Sequence, residues 1–80
     1  MNLVDSIAAL AGSRCTAFRW DHHQGVTTFR VTGPTSAMHD LISRAGGVSG
    51  HRLITREVTP IDQEMVMVEL AFTSMNIKTS

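Results

Sequence analysis

The sequence predicts an α+β fold, a two-layer sandwich with two helices on one face of a four-stranded antiparallel sheet. Three observations carry that expectation. Two segments have apolar residues at helical spacing, and each is followed by two segments rich in alternating or β-branched residues, so the order is helix, strand, strand, helix, strand, strand. Two amphipathic helices need one apolar surface to cover, and a four-stranded sheet supplies it. A chain of 80 residues, 42% of them hydrophobic, has material for a single modest core.

The first helix is read over "NLVDSIAALAG". Leu3, Ile7, Leu10 and Ala11 share a face, with Val4 and Ala8 beside it. Asn2 is placed to cap its start, Asp5 lies in the first turn and Gly12 closes it. "RCTAFRWD" and "GVTTFRVTG" then form a hairpin. Facing pairs Phe18–Phe29 and Trp20–Thr27 put Phe18, Trp20, Phe29 and Val31 on the core side. That register sets Asp21 opposite Val26 and leaves "HHQG" as a four-residue loop, in which Gly25 takes positive φ.

The second helix is "PTSAMHDLISRAGG". Met38, Leu41, Ile42 and Ala45 form its stripe, Thr35 or Ser36 caps the start, and Gly46 and Gly47 end it. "HRLITREVT" and "EMVMVELAFT" make a second hairpin across "PIDQ". The domain is expected to span residues 1–73, with 74–80 as a flexible tail. The two αββ halves share pattern rather than letters, and together they predict a ferredoxin-like sheet in permuted form. In that arrangement the second and fourth strands are central. "MVMVELAF" is nearly continuously apolar, as a central strand should be, while the arginines and histidines fall on the edges.

Charge and cysteine content exclude several functions. Lys plus Arg is 7 and Asp plus Glu is 7, so no basic footprint points to nucleic acid or an anionic membrane. A single cysteine, Cys15, allows neither an intrachain disulfide nor a Cys-based zinc site. No apolar run reaches the roughly 18 residues of a membrane helix, and no signal peptide is visible.

Adjacent histidines in "WDHHQG" invite a metal reading. Asp21, His22 and His23 would need His39 or His51 as a further ligand, and the predicted topology places neither at the hairpin tip. A polar turn is the simpler reading, and no metal or cofactor is expected. "HQGVTTFRV" resembles the phosphate-loop signature of acylphosphatases. Here the spacing is one residue longer, the segment runs into a strand, and the asparagines, Asn2 and Asn76, stand at the termini. Glycine-rich "AGGVSG" closes a helix instead of opening one, so it lacks the amide geometry of a phosphate site. Ser36, His39 and Asp40 share a helix without a strained nucleophile turn.

What remains is surface. By strand parity the helix-free face carries Cys15, Ala17, Arg19, Val26, Thr28 and Arg30 from the first hairpin. The fourth strand adds Met65, Met67, Glu69 and Ala71, while Val66, Val68, Leu70 and Phe72 take the core. On the third strand Ile54 and Val58 compete with Leu53 for inward placement. Adaptable methionines ringed by arginines suit a protein partner. The interface candidates are Cys15, Ala17, Arg19, Arg30, Met65 and Met67, acting through this face or through an edge strand.

Tandem αββ halves without catalytic residues resemble the periplasmic ferredoxin-like domains of inner-membrane platform proteins of type IV pilus assembly and type II secretion. The match runs over most of residues 3 to 73. It is densest in "FRVTGPTSAMHDLISRAGG" followed by "MVMVELAFT", with Gly33, Ser36 and Ile42 at the corresponding positions. The resemblance implies a non-enzymatic interaction domain that forms a homodimer or pairs with a paralogous platform protein. It also implies a periplasmic location in a membrane-anchored parent, from which this chain would be an excised domain. Two other readings stand beside it: a small-ligand-binding regulatory domain of ferredoxin-like type, and an acylphosphatase-like enzyme that would depend on Arg30.

Overall fold

The computed structural model describes residues 2–48 and 50–74. Its order is α1 (Leu3–Ala11), a 3-10 turn (Gly12–Arg14), β1 (Ala17–His23), β2 (Val26–Pro34), α2 (Thr35–Ala45), β3 (His51–Pro60) and β4 (Met65–Ser74). All strand pairs are antiparallel and the sheet order is β1-β2-β4-β3, with β2 and β4 central. This is the permuted ferredoxin-like arrangement. The expected tail begins inside β4, since Ser74 ends that strand, and residues 75–80 lie outside the described residues.

α1 forms because Leu3, Ile7 and Ala11 give it one buried stripe. Asn2 Oδ1 accepts the Asp5 N–H at 2.8 Å, and Gly12 closes the helix at φ 68°. α2 buries Ala37, Met38, Leu41 and Ala45. Neither Thr35 nor Ser36 caps it. Pro34 stands at the cap position and Thr35 is already helical. The Thr35 N–H and hydroxyl both donate to Glu64 O instead, at 2.9 and 3.2 Å, tying the helix start to the β3–β4 loop. The Ser36 hydroxyl accepts from Arg14 Nη2 at 2.9 Å.

Between the layers, Ile7, Met38 and Leu41 meet Phe29, Val31, Val68, Leu70 and Phe72, all fully buried. Phe18, Phe29 and Phe72 make a ladder across three strands, with ring centroids 5.9 and 5.8 Å apart. Gly33 is the tightest joint. A Cβ there would lie 3.0 Å from Met38 Cε and 3.2 Å from Cys15 Cα, so any larger residue would have to push the chain before β1 back from β2 by a few tenths of an ångström.

The first hairpin differs from expectation in register. Phe18 faces Val31, Trp20 faces Phe29, His22 faces Thr27 and His23 faces Val26. The histidines therefore belong to β1, and only Gln24 and Gly25 turn, at φ 52° and 81°. Positive φ at both positions matches the right-handed twist of the strands, which a four-residue loop does not need. The slip is two residues, so every side chain keeps its expected face.

Two further expectations are corrected. Trp20 points to the helix side as expected, but it remains 49% exposed. α2 has 11 residues and spans about 16 Å, whereas a ten-residue strand runs about 33 Å. The helices thus sit over the middle of the sheet, and Trp20 lies on the edge strand outside their cover. Cys15 is not on the open face. It precedes β1, packs half-buried against the core cluster, and its thiol donates to Gly12 O at 3.4 Å.

The competition on β3 resolves through a β-bulge. Leu53 pairs with Phe72 and Thr55 with Ala71, leaving Ile54 as the extra residue. Leu53 and Val58 are an odd number of positions apart, and the bulge lets both turn to the helix side.

Candidate interaction surface

The helix-free face is built from one parity of each strand. Ala17, Arg19, Asp21 and His23 come from β1, with Val26, Thr28, Arg30 and Thr32 from β2. Met65, Met67, Glu69 and Ala71 come from β4, and Thr55, Glu57 and Thr59 from β3. Ala17, Arg19, Arg30, Met65 and Met67 therefore share the predicted face, and Cys15 does not. The methionines are half-buried and Ala71 is buried between Thr28 and Thr55, so the centre of the face is well filled.

One row crosses all four strands as Arg19, Arg30, Glu69 and Glu57. Its middle members are paired, Arg30 Nε to Glu69 Oε1 at 3.2 Å. Arg30 is thereby engaged on a flat sheet face, away from the Gln24–Gly25 turn that would have to act as an acylphosphatase-like cradle.

The adjacent histidines point to opposite faces. His22 Nδ1 lies 2.8 Å from the Thr27 hydroxyl on the helix side, and His23 lies on the open face with Asp21. His39 is exposed on α2, beside a shallow groove that it shares with Asp40, Ile42 and Arg56. Among the described residues, no three His, Cys, Asp or Glu side chains converge where a metal could sit.

A hollow of about 710 Å³ runs along β3 from Gly46, Gly47 and Val48 past Arg52 and Ile54 to Arg56, and it is open to solvent. It is a groove rather than an enclosed ligand cavity.

Apolar surface outside the core gathers at the rims of the sheet. Trp20 on β1 is 49% exposed; Ile54 and Val58 on β3 and Ile61 just after it are 48%, 45% and 55% exposed. Sequence reasoning assigned Trp20 to the core and so missed it as a surface residue. Its place on an edge strand, three residues from the hairpin turn, beside helices of only nine and eleven residues, is the signal that could have shown it.

No protein-family model matches the chain, and comparisons with curated proteins and with solved structures find no match. No helix among the described residues is long and apolar enough to cross a membrane.

Proposed function

We propose that this chain is a non-enzymatic protein-interaction domain that works by self-association. The observation that carries the reading is the placement of its exposed large apolar side chains, Trp20, Ile54, Val58 and Ile61, along the sheet rims where another chain can reach them. In this reading the domain serves the periplasmic part of an inner-membrane assembly platform of the type IV pilus or type II secretion kind, and the parent protein is membrane-anchored. Support for that setting is the resemblance of the αββ halves, Gly33, Ser36 and Ile42 included.

Sedimentation velocity over a concentration series, with and without zinc, tests self-association. The expected result is a reversible dimer indifferent to zinc. A strict monomer at every concentration would contradict it, and association that requires zinc would redirect attention to His22 and His23. An apolar segment of roughly 20 residues encoded upstream in the parent gene is expected if the platform setting is right.

The groove along β3 favours a second reading, a small-ligand-binding regulatory domain. Under it a metabolite raises the melting temperature of the isolated chain. An unshifted melting curve across amino acids and nucleotides would remove it.

A further inference from the structure

The β1 edge carries the features of a self-complementary strand. A two-residue turn closes on His23 and Val26, which exchange both main-chain hydrogen bonds, and the pairing alternates from there. His23, Asp21, Arg19 and Ala17 therefore bond to β2. The Thr16 N–H donating to Thr32 O at 2.7 Å, the carbonyl opposite Ala17, fits the same phase. The N–H and C=O groups of Phe18, Trp20 and His22 consequently point away from the sheet, and every β1 residue except Phe18 is exposed.

We infer that β1 pairs antiparallel with β1 of a second copy about a two-fold axis at Trp20, joining two four-stranded sheets into one. The inference rests on the self-association reading above and names its surface and register. Three constraints select that register. An antiparallel pair of outward-facing residues must match Phe18, Trp20 and His22 with the same set. Centring on Trp20 is the alignment that uses all seven residues of Ala17–His23. It pairs Trp20 with the second copy's Trp20 and Phe18 with its His22, forming about six main-chain hydrogen bonds.

Charge then agrees with length and phase. In this register Arg19 faces the second copy's Asp21 on the open side, twice by symmetry. Shifting the axis one residue either way sets Arg19 against Arg19 or Asp21 against Asp21, which opposes pairing. Neither Arg19 nor Asp21 has an ion-pair partner among the described residues, so both are available. On the helix side the two exposed indoles come together in the hollow flanked by the two α1 helices. α2 packs over β2 and β4 and looks across the groove of His39 and Arg56 toward β3, which leaves the β1 side to α1, and Ala8 and Ala9 are exposed on α1. Such an interface buries aromatic surface and presents no unpaired charge.

The chain contains one tryptophan, so its emission reports this contact directly. Sedimentation and tryptophan emission are measured together on the wild type, Arg19→Asp, Asp21→Arg and the double exchange Arg19→Asp/Asp21→Arg, with far-UV circular dichroism confirming the fold. The wild type is expected to dimerise with a blue shift that follows the dimer fraction. Each single exchange is expected to weaken the dimer about tenfold or more, and the double exchange to restore it to within about threefold. A dimer untouched by the single exchanges, with emission independent of concentration, overturns the inference while leaving self-association intact. Species that grow beyond a dimer with emission independent of concentration also overturn it, because a contact about a two-fold axis at Trp20 closes at two copies. A monomer at all concentrations removes both this inference and the reading beneath it.

Discussion

The two edge strands occupy equivalent places in the sheet, yet they are built to opposite ends. β3 is longer, but a bulge at Ile54 interrupts it, and it ends in Pro60. Its loop closes with the Ile61 N–H donating to Met65 O, so Arg56, Val58 and Pro60 are the residues that face outward, and Pro60 has no N–H to give. Arg52 and Arg56 outnumber Glu57, so β3 carries a net positive charge that opposes pairing with a second β3. β1 has no bulge within Ala17–His23, no proline, and one charge of each sign placed symmetrically about Trp20. Edge protection in this sheet is therefore selective. The devices that natural sheets use to refuse strand addition are spent on one side, and the other side is left able to accept a strand.

The largest effect is expected from giving β1 the defence that β3 has. Trp20→Pro removes an outward N–H that β2 does not use. It is expected to weaken dimerisation more than about a hundredfold, with the fold retained by circular dichroism. A dimer that survives this change does not use the β1 edge. Next in size, Gly33→Val places atoms against Met38 and the backbone at Cys15, where β1 is anchored to β2. The expected loss is about 1–3 kcal/mol in denaturant unfolding, and an unchanged midpoint would show that the joint can yield. Asn2→Ala removes the α1 cap and should cost about 1 kcal/mol in the same measurement. Smallest, Val58→Asp on the blunted edge should alter stability by less than about 0.5 kcal/mol and leave the dimer constant within about twofold. A large effect there would transfer the interface to β3.

Much of this architecture is legible in the residue pattern. Alternation in "VTTFRV" and "MVMVELAF" assigns Phe29, Val31, Val66, Val68, Leu70 and Phe72 to the core and Arg19, Arg30, Met65 and Met67 to the open face, as found. Parity is robust because a two-residue slip preserves it, which is why the wrong register still gave the right faces. The register itself was hidden, since Gln24 at positive φ carries no local sign as clear as Asn-Gly. Trp20 keeps its expected face but not its expected burial, for a different reason. How far a helix layer extends over an edge is a property of packing, not of period. The alternation of "RCTAFRWD" extends back to Cys15, whereas the strand starts at Ala17. The odd spacing of Leu53 and Val58 was visible as a conflict, and the bulge at Ile54 is its physical solution.

That bulge also divides β3 into two mechanical units. Residues 51–53 and 55–60 each keep a continuous register with β4, but the register shifts between them and Ile54 has no partner position of its own. A strand with a built-in break opens in stages. The piece at His51, adjoining the glycine-rich linker, can detach and reclose while 55–60 stays paired, so amide exchange along β3 should fall into two rates rather than one. β1 carries no such break between Ala17 and His23, and its amides bonded to β2 should exchange as one group.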